Sequence, residues 1–404
     1  NRSQLQVTAG VLSAGNTYVF EAAVYPTGYA SYNSTDTIKV VVTEQAVVAV
    51  ITGGDRTVGT QNVLALDGSS SKDPDYSSMA FNYTWSCLKS GVTCTTAAGV
   101  TLFLGTASTA SLAASTMGTG TYTFSLLVTK GSRNSTASVS ITYLAGAPPA
   151  VTIDALSASK YSPASGTYLQ LTGRATFTSS VDFAWSIFSG DGDSSTIIVQ
   201  KWSIGFVANA VIDLYQLTAG TTYVFKLTAT SKLDSTSAGS STVNVVVNSP
   251  PSSGSLEVSP TTGTALTTAF SMLASSWVDD ADDFPLQYKY GYVLGSSYSG
   301  SGATIIRPYS LSSPASSILQ AGNATTGNVV TCIVFVADKY GASSYATAQV
   351  TVSQPVVEAA ALTTYLATAA ASLLDTALQA GDPDATVQMA SILAASINSA
   401  SSQS

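Results

Sequence analysis

Four carboxylates in five residues, Asp279, Asp280, Asp282 and Asp283, are the densest group of chemically competent side chains in the sequence. If Asp338 and backbone carbonyls converge on them, the set could hold a hard cation such as Ca²⁺. The spacing is not that of an EF-hand loop, and a solvated acidic turn is the competing reading. Paired carboxylates also raise glycoside hydrolysis, but the flanking sequence offers no aromatic-lined cleft. Histidine is absent from all 404 residues, which removes Ser-His-Asp and Cys-His machinery, an imidazole base and every His-ligated metal site. The expectation is a protein without catalysis and without an obligatory cofactor.

Cys87 and Cys94 lie in Trp85-Ser-Cys-Leu-Lys-Ser-Gly-Val-Thr-Cys94, where two strand-like halves flank Lys89-Ser90-Gly91. A hairpin there brings the sulfurs together, so the pair reads as a short-loop disulfide. A redox motif needs Cys-x-x-Cys and a zinc site needs further Cys or His ligands, and neither is present. Cys332, in the apolar run Val329 to Val336, is either buried as a small apolar residue or available for an intermolecular bond. Sequons at Asn1, Asn33, Asn82, Asn134 and Asn323, together with the disulfide, point to attached glycans and to the outside of the cell.

The 62 Ser and 52 Thr far outnumber the 38 charged residues, so the polar surface is hydroxyl rather than ionic. A net charge of -8 with only 15 Lys and Arg leaves no basic stripe for a phosphate backbone, which argues against a nucleic-acid partner. The longest apolar stretch, Val356 to Leu374, is Ala-dominated and carries Glu358, Thr363, Thr364, Thr368 and Ser372. That is too weak for a bilayer span, so any membrane link is expected through segments outside the chain. With neither an initiator Met nor a signal peptide, the sequence reads as a mature product or a fragment.

The elements that must position these residues follow from a repeat. Leu12-Ser-Ala-Gly-Asn-Thr-Tyr-Val-Phe20 and Leu217-Thr-Ala-Gly-Thr-Thr-Tyr-Val-Phe225 are nearly one string, and Gly118-Thr-Gly-Thr-Tyr-Thr-Phe124 is a looser copy. Each precedes a turn and an alternating strand, a period of about 100 residues that matches one β-sandwich, with the Tyr at the corner before the penultimate strand. Trp85 and Trp185 fall in equivalent strands and read as core anchors between two sheets, with ligand stacking as the alternative. Tyr288, Tyr290 and Tyr292 alternate on one strand near Tyr298, a stripe that either packs a sheet or stacks on sugar.

The fold class is therefore mainly β, tandem Ig- and fibronectin-like β-sandwiches with a C-terminal α-helical hairpin. The expected divisions are the C-terminal half of a sandwich over 1–44, sandwiches over 45–145, 146–248 and 249–354, and an Ala-rich helical segment over 355–404. The half-sandwich has room for one strand before Tyr18, so its complement is expected upstream or from a neighbouring chain. Pro pairs at Pro148-Pro149 and Pro250-Pro251 favour extended, semi-rigid linkers.

Two strings carry a family resemblance. Leu66-Asp-Gly-Ser-Ser-Ser-Lys-Asp-Pro-Asp75 with Tyr83-Thr-Trp-Ser-Cys87 resembles the PKD domain of polycystin-1. Asn248-Ser-Pro-Pro-Ser-Ser-Gly254, Val258-Ser-Pro-Thr-Thr-Gly-Thr-Ala-Leu266, Trp277-Val-Asp-Asp280 and Pro285-Leu-Gln-Tyr288 resemble the REJ (receptor for egg jelly) module. The resemblance implies that residues 355–404 begin a GAIN-like helical region. It also implies cysteines near Leu256 and Ala274, which this sequence lacks, leaving Cys332 without an obvious partner.

By resemblance the protein is expected to be an extracellular glycoprotein rod at the cell surface, the ectodomain stalk of a polycystin-1-like protein. One alternative is a self-assembling protomer of a glycosylated surface filament, a mastigoneme-like fibre. Another is a ligand-binding adhesion module. Expected partners are other copies of the chain or neighbouring domains of a longer one.

Overall fold

In the computed structural model the described residues are 11–27, 31–76, 80–164, 166–190 and 194–356, with a few isolated positions outside them. The chain divides into two compact units, Leu12–Asn248 and a second running from Ser249 onward together with Asn1–Val11.

The first unit opens with a hairpin of β1 (Thr17–Val24) and β2 (Ser34–Val41). One sandwich follows, comprising β3 (Arg56–Gly59), β4 (Leu64–Asp67), β5 (Asn82–Lys89), β6 (Val92–Thr93), β7 (Thr109–Leu112), β8 (Gly120–Lys130) and β9 (Arg133–Leu144). The next contains β10 (Ala150–Ile153), β11 (Tyr168–Thr176), β12 (Val181–Ser189), β13 (Ile198–Ile204), β14 (Val207–Asp213), β15 (Thr222–Ser231) and β16 (Ala238–Val246). Sheets of order β4-β7 and β10-β11-β14-β13 face a single sheet of order β12-β15-β16-β3-β9-β8-β5-β6.

Period-2 alternation builds these layers. Along β8, Tyr122, Phe124, Leu126 and Val128 point inward and are buried, while Thr121 and Thr123 face solvent. Each fully buried apolar side chain there contributes about 2 kcal/mol. Trp85 and Trp185 are core anchors, buried in the two sandwiches. Trp85 stands opposite Leu126 and Trp185 opposite Leu227 in register. A glycine closes over each pair from the facing sheet. A Cβ on Gly68 would lie 2.3 Å from Leu126 Cδ2, and one on Gly173 would lie 2.2 Å from Leu227 Cδ2, so a side chain there would force those core leucines to shift.

The second unit holds β17 (Ser255–Ser259), β18 (Thr262–Thr264), β19 (Ala269–Ser275), β20 (Gln287–Leu294), β21 (Thr304–Ser310), β22 (Pro314–Ile318), β23 (Val329–Ala337) and β24 (Ser343–Ser353). They form sheets of order β17-β19-β22 and β18-β24-β23-β20-β21. Between them lies a core that includes Phe270, Met272, Tyr290, Tyr292, Cys332 and Val334.

The helical hairpin expected over 355–404, with its GAIN-like opening, lies outside the described residues apart from scattered helical positions such as Thr364 and Leu393. Among the described residues no helix is long and apolar enough to cross a membrane.

Candidate functional site

In the first unit the chemistry is that of joining. Strand β16 lies antiparallel to β3 with Ser240 opposite Thr57 and Ser241 opposite Arg56. Strand β3 in turn runs parallel to β9, from Arg56–Ile141 to Gly59–Leu144. The two sandwiches therefore share a continuous ladder. Side chains reinforce it: Ser241 Oγ donates to the Gly53 carbonyl at 2.9 Å, and Thr242 donates to the Asp55 carbonyl from both its amide (3.0 Å) and its hydroxyl (3.1 Å). The Asp55 carboxylate accepts the Ser140 amide at 2.7 Å, which fixes the loop against its own sandwich. Ser240, Ser241 and Thr242 are all buried, and the two side-chain bonds in that setting add roughly 2 kcal/mol to the ladder itself. Gly239 makes this approach possible, since a Cβ there would stand 1.8 Å from the Pro149 carbonyl oxygen.

The opening hairpin is clamped at its base. Tyr76 Oη donates to the Ala14 carbonyl at 2.9 Å, Arg133 Nη1 donates to the Gln45 carbonyl at 2.8 Å, and the Gln45 amide donates to Asp75 at 2.6 Å. Behind the clamp, the Asp73 side chain is shielded from solvent between Lys130 at 2.8 Å and Arg133 at 2.7 Å. Hydrogen bonding to Arg133 holds its carboxyl far below the usual range, aided by Lys130 and the Asp75 amide. The turn chemistry in Leu66–Asp75 is as its residue types suggest, with Asp67 accepting the Ser69 amide and Asp73 the Asp75 amide. What local reasoning misses is that Asp73 also neutralises two cations from β8–β9. No signal in the string itself reports partners nearly 60 residues away.

In the second unit the acidic residues do converge, in two overlapping triads, Asp279-Asp283-Asp338 and Asp280-Asp282-Asp283, with carboxylate oxygens in each within 4.8 Å of one another. The solvated-turn reading fails for Asp283 and Asp338, which are 0% and 3% exposed. Asp338 lies on the loop after β23 and accepts the Tyr340 and Ala342 amides at 2.7 and 3.1 Å. Asp279 accepts the Asp280 amide at 2.9 Å. Burial, with the neighbouring charges of Asp283 and Asp338, pushes Asp279 up to about 6. Such an all-oxygen donor set suits Ca²⁺ in kind.

The remaining expected sites are placed as follows. Cys87 and Cys94 are disulfide-bonded, with Cα atoms 5.4 Å apart. Cys332 is a buried free thiol that burial pushes up to about 12, so it is not available for an intermolecular bond. Asn33, Asn82, Asn134 and Asn323 are exposed, and Asn1 lies outside the described residues. The Asn323 carboxamide accepts the Thr325 amide and hydroxyl at 3.0 and 2.8 Å, tying the sequon into a tight turn. Tyr290 and Tyr292 are core residues and Tyr288 packs beside them. Tyr298 does not join that stripe but packs edge-on to Phe335 and Tyr345, at 5.7 and 5.2 Å between centroids.

The shared sheet and the buried polar bonds of the first unit define a class: tandem β-sandwich modules. The REJ domain model matches residues 1–392. The chain belongs to the REJ domain family. No curated protein matches the sequence. Among solved structures the chain is similar to titin domains A168-A170, at 11% identity and a TM-score of 0.29 over 77% of this chain and 100% of that one. It is also similar to a 1.5-MDa bacterial ice-binding adhesin fragment, at 12% identity and a TM-score of 0.31 over 77% and 100%. The sheet orders and registers, rather than these likenesses, define the sandwich fold.

Proposed function

We propose that this chain is a non-enzymatic, load-bearing segment of an extracellular glycoprotein, the ectodomain stalk of a polycystin-1-like protein. The observation that carries the reading is the ladder β16-β3-β9, which makes two successive sandwiches one mechanical element. Tandem sandwiches joined only by flexible linkers swing freely, whereas a shared sheet transmits tension through backbone hydrogen bonds. Membership of the REJ family supports the surface location. The exposed Asn33, Asn82, Asn134 and Asn323 would carry glycans that supply the solubility a weakly charged surface lacks.

A self-assembling filament protomer is the second reading, favoured by the edge-to-edge pairing of β16 with β3 that already joins two sandwiches of this chain. Electron microscopy of the native material separates the two: isolated segments support the stalk, and regular fibres with an axial repeat refute it. Mass spectrometry of tryptic peptides tests the glycans. Unmodified Asn33, Asn82, Asn134 and Asn323 in natively expressed protein would refute the extracellular reading.

A further inference from the structure

Strand β3 is short, and where it stops the eight-stranded sheet parts. From Arg56 onward it ladders to β9 on one side and to β16 on the other. Just before Arg56, Asp55 still holds both neighbours: its carbonyl accepts the Thr242 amide at 3.0 Å and its carboxylate the Ser140 amide at 2.7 Å. The chain reaches Asp55 from the other sheet through Gly53-Gly54, since the Thr52 amide bonds to the Asp67 carbonyl of β4 at 2.8 Å. Beyond Asp55, therefore, β16 and β9 run on without β3 between them. The cleft there has a volume of about 430 Å³, with Asp55 at one end, Ser138 of β9 on one wall, and Thr242 and Asn244 of β16 on the other. Strands flanking one absent neighbour stand about 10 Å apart, twice the ladder spacing.

Both walls present backbone groups. On β16 the Thr242 amide bonds to Asp55 and the Val246 carbonyl accepts the Tyr161 amide at 2.9 Å, so these residues turn their polar groups away from β15. Asn244, midway between them, shares that orientation. On β9 the Ser140 amide and the Leu144 carbonyl, which accepts the Thr60 amide at 2.7 Å, turn toward β3, and Ser138 turns the same way. Among the described residues neither Ser138 nor Asn244 has a backbone partner on the cleft side. The stretch from Thr242 to Val246 measures about 13 Å, four residues of extended chain.

The side chains around the cleft differ on its two faces. Ala49, Ile51, Ala137 and Val139 line the inner one, and Ile51 and Val139 belong to the core of the first sandwich. Asn244, Val224 and Phe188 line the outer one. A register shift in β12 beside Phe188 turns its ring out to 61% exposure, with the Lys226 ammonium 5.2 Å from the ring centroid.

We propose that this cleft binds an extended, uncharged peptide segment of a partner protein, in line with β3, which hydrogen-bonds to Ser138 and Asn244 at once. The segment continues the ladder that already joins the two sandwiches, antiparallel to β16 and parallel to β9. Two edges supply backbone bonds for affinity, the apolar inner face selects small aliphatic side chains and excludes charge, and the outer face takes hydroxyl-bearing ones. The proposal does not depend on the stalk reading.

A fluorescein-labelled hexapeptide amide, Thr-Val-Thr-Ala-Ser-Val, serves as probe against the full chain, read by anisotropy and by amide hydrogen exchange. Saturable binding is expected, with the Ser138 and Asn244 amides gaining protection together. N-methylation of the third and fourth peptide residues removes one donor toward each edge and should weaken binding at least tenfold. Asn244→Pro, which deletes the cleft-facing N–H and leaves the bonds to β15, should do the same, whereas Thr123→Lys on the solvent face of β8 should leave affinity within twofold. Absence of saturable binding up to about 1 mM peptide, equal binding of the methylated peptide, or protection of only one of the two amides would overturn the proposal. So would protection of both amides in the free chain: at low concentration another segment of the chain would then fill the cleft, and at high concentration alone a second copy would.

Discussion

The hydroxyl of Tyr18 accepts the Ser13 amide at 2.9 Å, and the hydroxyl of Tyr223 accepts the Thr218 amide at 3.1 Å, each reaching back five residues to the approach of its own strand. The same corner is thus built once on an open hairpin and once inside a closed sandwich. Tyr223 is fully buried, so Tyr223→Phe leaves the Thr218 amide without its acceptor and should cost about 1.5 kcal/mol in denaturant unfolding. At Tyr18, which is only partly buried, water replaces the lost acceptor and Tyr18→Phe should cost less than half as much. Equal costs would mean that the hairpin is covered in solution.

Asp73→Ala should destabilise the first unit by about 3 kcal/mol, because it strands Lys130 and Arg133 beside a vacated buried position. Urea unfolding of Leu12–Asn248 checks this. A change near zero would show that the buried charge network is solvated in practice. Among the described residues, Lys130 then keeps the Tyr76 carbonyl, at 3.2 Å, as a hydrogen-bond acceptor.

The two units should respond to acid with opposite signs. Asp279 titrates near 6 when folded against 3.8 as its ordinary value, so between those values the folded state holds a proton that the unfolded state has released. Stability of the second unit should therefore fall as pH rises through that window and level off above it. Asp73 is shifted downward, so its contribution is present above the ordinary carboxylate range and is lost only as pH falls below it. Thermal melts of the second unit followed across the window should flatten in Asp279→Asn. A wild-type second unit that instead gained stability on going from pH 4 to 6 would contradict the assignment.

Leu256 and Ala274 are direct partners across β17 and β19, and both are buried. These are the positions near which the REJ resemblance leads one to expect cysteines. Because the two stand directly opposite in register, Leu256→Cys with Ala274→Cys should oxidise spontaneously and stabilise the second unit by about 3 kcal/mol relative to its reduced form. Free thiols persisting under oxidising conditions would show that the register does not bring the two Cβ atoms together.

What was legible in the sequence is what local patterns encode. Tyr18, Tyr122 and Tyr223 announce the sandwich period because a corner is a short contiguous string, and Trp85 and Trp185 announce the core because alternation is local. Cys87 and Cys94 pair across a turn only a few residues long. The pairing of β16 with β3 was not legible, since Ser240 and Ser241 carry no mark of partners as distant as Thr57 and Arg56. Small hydroxyl residues look like solvent-facing positions, and here they are buried because the neighbouring sandwich supplies their hydrogen bonds. The acidic cluster was legible as a group, but the burial of Asp283 and Asp338 depends on loops from different hairpins closing together.

Gly239→Val should disrupt the junction without touching either core, because the side chain meets the Pro149 carbonyl. Each sandwich should keep its own melting transition, while amide exchange at Thr242, whose N–H donates across the junction to Asp55, should rise by at least tenfold, a loss of about 1.4 kcal/mol of protection. Unchanged exchange there would mean that the ladder tolerates the displacement.

The claim that the shared ladder makes the two sandwiches one load-bearing element is tested most directly by pulling Leu12–Asn248 between its ends in an optical trap. Wild-type protein should yield in a single event that releases the whole unit, about 80 nm of chain, and Gly239→Val should split that event into two of roughly half the length. Two separate events of that size in the wild type, unaltered by Gly239→Val, would contradict it.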